Sequence, residues 1–296
     1  MLDEGSRRAF AEEGYLVLPD AVPREACEAL CAHVSDLILR VAGEHARGER
    51  GVSEEAGFWA SLRRSAHEVE VFLDPAVGPP RALPPESWER AVTRIGHGLH
   101  RVDAQFGALC RSEAVAGPLA AITPEPAVVV QTAVIYKQPR SEVVQFGFHQ
   151  DSWYLSAEPD TLVLAFVALD DMDEENGCLA VIPGSHREGL GTRLVLGDKG
   201  YVSLGRTQGL PAPRHPERAV LLPAAKGTII LAHGRTYHAS GPNRSDRPRR
   251  AFIAHALGAG SRMQASSWIQ APPGGFTRLA EADEQQRAAT RAPEGR

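Results

Sequence analysis

Hydrophobic positions recur with a helical period in the first third of the chain and with a two-residue period after it. Residues 2–13 read as a short charged helix, and 14–18 read as a brief strand ended by Pro19. Pro23 suits the first turn of a helix, where its missing N–H costs nothing. Ala26, Leu30, His33, Val34, Leu37, Ile38 and Val41 then follow at helical spacing. Residues 43–57 are polar, as in a loop or a frayed helix end, and 75–85 hold five prolines and Gly78, which makes that stretch a connection. A second amphipathic helix is predicted from about residue 86 to 110. After Pro124 short β-rich runs alternate with turn residues, over 127–136, 143–149, 162–169, 178–182, 219–222, 228–231 and 251–257. Val128, Val130, Thr132 and Val134 alternate with period two, as do Phe252, Ala254 and Ala256. Many short strands with Gly, Pro and Asn between them predict a β-sandwich or jelly-roll barrel. Residues 188–216 carry little core material and read as loops over one end, and the polar tail over 272–296 reads as frayed.

With 296 residues the chain is long enough for one large core or two ordinary ones. No repeat divides it, so a single domain over 1–296 is expected: a largely helical flank over 1–124 and a β core over 125–260. The net charge of −5 disfavours general nucleic-acid binding. No apolar run approaches the ~20 residues of a membrane span, and the start of the chain lacks a signal-peptide pattern. Cys27, Cys31, Cys110 and Cys178 are too few and too scattered for a disulfide framework. A cytoplasmic protein with reduced thiols, acting on a small molecule, is the expectation.

Most of the eleven histidines need no function. His33, His45, His67, His97 and His100 fall in or beside stretches read as helical, His186 and His215 in turns, and His255 on the last strand without an evident partner. His149 is different, because Asp151 follows two residues later and residues two apart on a strand share a face. A third ligand could come from His233 or His238 downstream. Two histidines and one carboxylate leave coordination positions open, the ligand set of non-haem iron(II) oxygenases. Zinc hydrolysis accepts the same set. Arg249, in a strand that starts after Pro248, is placed to bind a dicarboxylic acid through a two-pronged bond, which favours the oxygenase.

"FHQDSWYL", "NGCLAVIPGSHREG" and "HASGPNRSDRPRRAF" together resemble the phytanoyl-CoA dioxygenase family of iron(II)- and 2-oxoglutarate-dependent oxygenases. The likeness extends to "GYLVLPDAVPREACEAL", "IGHGLH", "VVVQTAVIYKQP" and "SSWIQ", so it runs over most of the chain. It implies a double-stranded β-helix core flanked by helices. It implies iron ligands at His149, Asp151 and His238, the last because the family's His-x-Ser-x-x-Asn signature fits His238 and not His233. Arg249 matches the arginine that holds the distal carboxylate of 2-oxoglutarate, and Lys137 and Ser240 fit the pattern near that cosubstrate. Arg94 falls where a close relative has a lysine contacting it, Ala133 where that relative has methionine, and Phe166 where it has tryptophan. Gln131 aligns with a position that faces substrate in some members. Trp153, two residues past Asp151, is a candidate substrate wall, and Phe148 a weaker one.

The implied chemistry is oxidation of a small-molecule C–H bond by dioxygen, with release of succinate and carbon dioxide. Halogenating oxygenases of this group have a small residue at the place of Asp151, so its carboxylate points to hydroxylation. Two rivals remain from the residues alone: a metal- and 2-oxoglutarate-binding sensor without turnover, and a cupin-like zinc hydrolase. Each motif also has a structural reading. Asn176-Gly177 and Pro183-Gly184-Ser185 are turn sequences, Lys137 an ordinary strand-end charge, Phe148, Trp153 and Tyr154 core residues, and Arg250 a surface ion-pair partner facing away from Arg249.

Overall fold

The computed structural model describes residues 2–49, 61–62, 64–123, 126–144, 146–197, 200–205, 212–265 and 267–279. Two antiparallel sheets face each other. The larger runs in the order β1 (Tyr15–Leu18), β12 (Ile229–His233), β7 (Val163–Ala168), β14 (Arg249–Gly258), β4 (Ala127–Lys137), β3 (Val92–His97) and β2 (Glu70–Leu73). The short β16 (Thr277–Arg278) also pairs with β4. The smaller sheet orders β11 (Val220–Leu222), β8 (Leu179–Val181), β13 (His238–Ser240) and β5 (Phe146–His149). This is the jelly-roll, double-stranded β-helix arrangement, with the sheets left open at their edges.

Period-two alternation assigns the two faces of the large sheet to different neighbours. Val163, Ala165 and Val167 of β7 and Phe252, Ala254 and Ala256 of β14 join one apolar cluster with the helical flank. Helix α2 (Arg24–Ala46) covers that face with Cys27, Leu30, Val34, Ile38 and Val41. The intervening residues Leu164, Phe166 and Ala168, with Ala251, pack instead against Leu179 and Val181 of the small sheet. Arg249, Ile253 and His255 sit on this inner face, where the sheets splay into a cavity. All four cysteines are free and buried, and no described helix is long and apolar enough to cross a membrane.

Three sequence expectations are corrected. The stretch expected as one helix over 86–110 holds a 3-10 turn (Pro85–Arg90), strand β3, and the short helices α3 (Leu99–Val102) and α4 (Ala104–Arg111). The reason is close approach. A Cβ on Gly96 would lie 2.7 Å from Ala133 Cβ, and one on Gly98 would lie 2.3 Å from the Ala66 carbonyl. Gly96 lets β3 lie flush against β4, Gly98 lets the chain pass close to Ala66, and both weaken a helix at the same place. The flank therefore holds two strands beyond the one expected over 14–18, since β2 and β3 join β1 in the large sheet. The segment expected as loops carries a hairpin, β9 (Thr192–Gly197) and β10 (Gly200–Gly205). Of the tail, β16 and the buried Leu279 are ordered against β4, while 280–296 lie outside the described residues, as does most of 43–57.

Candidate metal centre and its cavity

Strands β5 and β13 are neighbours, and their register sets His149 directly opposite His238. The two imidazole rings lie 4.2 Å apart between centroids. Gln150 stays extended between the two candidate ligands of the first motif and is fully buried. Its amide donates to the carbonyls of Gly189 (2.9 Å) and Arg235 (2.6 Å). Asp151 then opens a 3-10 turn (Asp151–Trp153), so the pair meets through one extended residue and a turn, where the sequence suggested a continuous strand. His149 Nε2 and His238 Nε2 each lie 3.7 Å from Asp151 Oδ1. The three possible ligand atoms fall within 4.8 Å of one another.

Protonation follows from the hydrogen bonds. His149 Nδ1 lies 2.9 Å from the Gly147 carbonyl and His238 Nδ1 3.0 Å from the Thr236 carbonyl. A carbonyl only accepts, so both Nδ1 atoms carry a proton and both Nε2 atoms face Asp151. Burial, and then the neighbouring His238, lowers His149 to about 4, which keeps it neutral near pH 7. Burial alone would raise the Asp151 carboxyl, yet His238, His255 and His149 outweigh it and hold Asp151 well below the usual carboxylate range. Tyr154 Oη donates to Asp151 Oδ1 at 2.8 Å.

His255, which the sequence left without a partner, is a cavity-lining position missed there. It is 1 % exposed, with Nε2 3.0 Å from Asp151 Oδ2, outside hydrogen-bond geometry. The signal available was its parity with Arg249, Ala251 and Ile253 on β14, which puts it on the cavity face. His97 was also misplaced: it ends β3 and lines the cavity. Tyr154 and Trp268 line it as well. His233 is not among the lining residues; its Nδ1 accepts from the Arg235 amide at 3.0 Å.

The cavity measures about 420 Å³, within the usual range for small-molecule sites. Arg249 reaches it from β14 and is 1 % exposed. Its Nη2 donates to the Gly177 carbonyl at 2.9 Å, while Nε and Nη1 are buried with no hydrogen-bond partner. Gly177 has φ +77°, and a Cβ there would lie 2.4 Å from the Gly241 carbonyl, so the Asn176-Gly177 turn also steers the guanidinium. Burial lowers Arg249 to about 9, which leaves it charged at neutral pH. Phe166 lies under it, with the guanidinium carbon 5.6 Å from the ring centre. Ser240, Arg94, Gln131 and Trp153 also line the cavity.

Three other expected positions do not line it. Ala133 is buried behind the wall, beside Ile135 and Val144. Phe148 alternates away from the lining residues Gly147 and His149. Lys137 is 1 % exposed, hence no ordinary strand-end charge, and its ammonium donates to the carbonyls of Val144, Ser240 and Gly241. Arg250 does face away from Arg249, paired through two 2.8 Å bonds with Asp170.

Two imidazoles and a carboxylate at the mouth of a jelly roll, with an unsatisfied guanidinium in the wall, define the class of metal-centred β-helix enzymes. The phytanoyl-CoA dioxygenase (PhyH) family model matches residues 10–251, and the chain belongs to that family. Among its relatives is phytanoyl-CoA dioxygenase domain-containing protein 1 of Bos taurus, 31 % identical over 285 residues, covering 92 % of this chain and 96 % of the relative. Phytanoyl-CoA dioxygenase 1 of Oryza sativa subsp. japonica is 26 % identical over 277 residues, covering 91 % and 94 %. Solved structures share the fold at low identity. The non-heme alpha ketoglutarate dependent carbocyclase SnoK has a TM-score of 0.62 at 18 % identity, covering 89 % of this chain and 87 % of that one. EctD from S. alaskensis with bound Fe has a TM-score of 0.60 at 18 % identity, covering 89 % and 79 %.

Proposed function

We propose that this protein is an iron(II)- and 2-oxoglutarate-dependent oxygenase that hydroxylates a C–H bond of a small molecule, with release of succinate and carbon dioxide. The observation that carries the proposal is the pairing of two features in one cavity. Nε2 of His149 and of His238 converge on Asp151, and Arg249 keeps two buried donors with no partner. His149, Asp151 and His238 would hold the metal on one side and leave positions open on the other. Bound there, iron(II) with 2-oxoglutarate supplies the oxidation of a C–H bond by dioxygen, coupled to decarboxylation of the cosubstrate.

The chain's own part is placement and electrostatics. Carbonyls of Gly147 and Thr236 fix the tautomer and tilt of the two imidazoles. Tyr154 holds one carboxylate oxygen of Asp151, and His255 crowds the other, which limits how the carboxylate can turn. Nε and Nη1 of Arg249 are unpartnered charged donors for the far carboxylate of 2-oxoglutarate, and Ser240 lines the same cavity from the facing sheet. A zinc hydrolase has no use for an unsatisfied guanidinium so deep in the wall, and this favours the oxygenase. Neighbours in fold include an epimerase, a carbocyclase and EctD with 2-oxoglutarate and 5-hydroxyectoine. Hydroxylation is favoured here by Asp151, whose carboxylate takes the place a halide would need.

The test is 2-oxoglutarate turnover by protein reconstituted with iron(II), read as succinate. Succinate that depends on iron and disappears in Asp151→Ala supports the proposal. Tight zinc retention with no 2-oxoglutarate turnover at any iron loading would overturn it.

A further inference from the structure

The last residue of β4 joins the two sheets. Lys137 is the register partner of Arg249 and so shares the inner face of the large sheet, but it is buried and stands outside the cavity lining. Its ammonium donates to the carbonyl of Val144, on the connection that leads into β5, and to the carbonyls of Ser240 and Gly241, at the end of β13. The ring centre of Phe146, the first residue of β5, lies 5.8 Å from the same nitrogen. No acid acts on Lys137 among the described residues; Arg249 is its charged neighbour.

Asn243 closes the junction from the backbone side. It is buried, and its amide donates to the Lys137 carbonyl at 3.2 Å and to the Arg247 carbonyl at 2.6 Å. Its own N–H reaches the Ser141 carbonyl at 3.1 Å, and its side-chain oxygen accepts from the amide and hydroxyl of Ser245. Lys137 is therefore gripped at its side chain and at its carbonyl by the segments next to the two metal-ligating strands.

Chain order sets what the junction controls. Ser240 stands two residues past His238, and Val144 five residues before His149. Strands β5 and β13 belong to the small sheet, and Lys137 and Asn243 tie this end of it to β4 of the large one. The pairing of β5 with β13 shifts register between His238 and Ser240, so the ladder alone does not fix the two imidazoles. A buried ammonium without an acid is costly, and an apolar side chain of the same length would fill the space. What lysine adds is three N–H groups on one atom, which suits three carbonyls drawn from two segments.

We propose that Lys137 is a positioning residue for the metal centre: with Asn243 it clasps the ends of β5 and β13 to β4 and so sets the spacing of His149, His238 and Ser240. The inference rests on the metal-centre reading of the histidines. It gives Lys137 a task distinct from touching the cosubstrate.

The probe is cobalt(II) alone, added under nitrogen to metal-free protein, with its visible absorbance reporting the number and geometry of the ligands. Lys137→Met keeps the volume and removes the donors. It is expected to shift the band and to weaken cobalt binding about tenfold, the lower end of what loss of an outer partner costs a metal site. Lys137→Gln, with two N–H donors, should recover part of both, and Asn243→Ala should move the band in the same direction. Arg250→Ala is the control for stability alone: it should lower the melting temperature and leave the band in place. A wild-type band in Lys137→Met, however far its melting temperature falls, would overturn the proposal and leave the metal-centre reading standing. So would a normal cobalt band with only the 2-oxoglutarate midpoint displaced, as expected of Arg249→Ala, since that is the mark of a direct cosubstrate contact. If Lys137→Met does not fold, Lys137→Gln and Asn243→Ala decide: a shifted band in both supports the clasp, and an unshifted band in either overturns it. Wild-type protein that takes up no cobalt would overturn both readings.

Discussion

Replacing Arg249 by alanine should weaken 2-oxoglutarate binding by one to two orders of magnitude while leaving iron binding nearly intact. Two of its donors, Nε and Nη1, are buried and unpartnered, and the third, Nη2, is held by the Gly177 carbonyl. The guanidinium is thus held in place before the ligand arrives, and little ordering entropy is lost on binding. A charge-assisted hydrogen bond contributes about 1.5–3 kcal/mol, and about 1.4 kcal/mol is a factor of ten, which gives the stated range. Lysine should restore only a fraction. It keeps the charge but loses the planar set of donors. Arg250→Ala is the internal control. It removes a guanidinium from the opposite face and leaves the half-buried Asp170 without its two 2.8 Å bonds, so it should lower the melting temperature and spare cosubstrate affinity. The assay is a 2-oxoglutarate titration under anaerobic iron(II), followed by the metal-to-ligand charge-transfer absorbance. Normal affinity in Arg249→Ala, or a greater loss in Arg250→Ala, would refute the assignment of the fork.

His149→Ala, Asp151→Ala and His238→Ala should each abolish iron binding in equilibrium dialysis, whereas His233→Ala, whose ring bonds the Arg235 amide away from the cavity, should retain most of it; the reverse order for the two histidines would reassign the third ligand. Burial lowers His149 to about 4 and both His100 and His233 to about 3, against an unfolded value of 6.5. Below pH 6.5 the unfolded chain therefore takes up these protons first. The metal-free protein should lose stability as pH falls from 6.5 toward 4, by at most about 1.4 kcal/mol per pH unit for each imidazole. Chemical denaturation at stepped pH measures this, and a flat profile would contradict it. Wild-type protein supplied with chloride or bromide should yield no halogenated product by mass spectrometry, since Asp151 fills the place a halide requires.

Much of the site was legible because its chemistry is carried by local motifs. His149 and Asp151 are two residues apart, and Arg249 and Arg250 adjoin on a strand whose parity alone separates their faces. The strands of the β core were legible for the same reason, as alternation survives wherever a sheet has two distinct faces. What escaped depends on distant pairing. Nothing local in "IGHGLH" tells that Gly96 and Gly98 serve close approach to Ala133 and Ala66, which makes 92–97 a strand and delivers His97 and Arg94 to the cavity. His255 became informative only when β14 set it 3.0 Å from Asp151, across more than a hundred residues of chain. The structural alternative for Lys137, an exposed strand-end charge, fails because the β13 end and Val144 close over it and supply three carbonyls.

The most direct measurement is the absorbance of the protein with iron(II) and 2-oxoglutarate in the absence of oxygen. A charge-transfer band in the visible region that needs both additions, is lost in Asp151→Ala, and requires far more 2-oxoglutarate in Arg249→Ala is the expected result. Absence of the band at saturating iron and cosubstrate, in protein that is folded by its melting curve, would contradict the assignment of this cavity as an iron(II) and 2-oxoglutarate site.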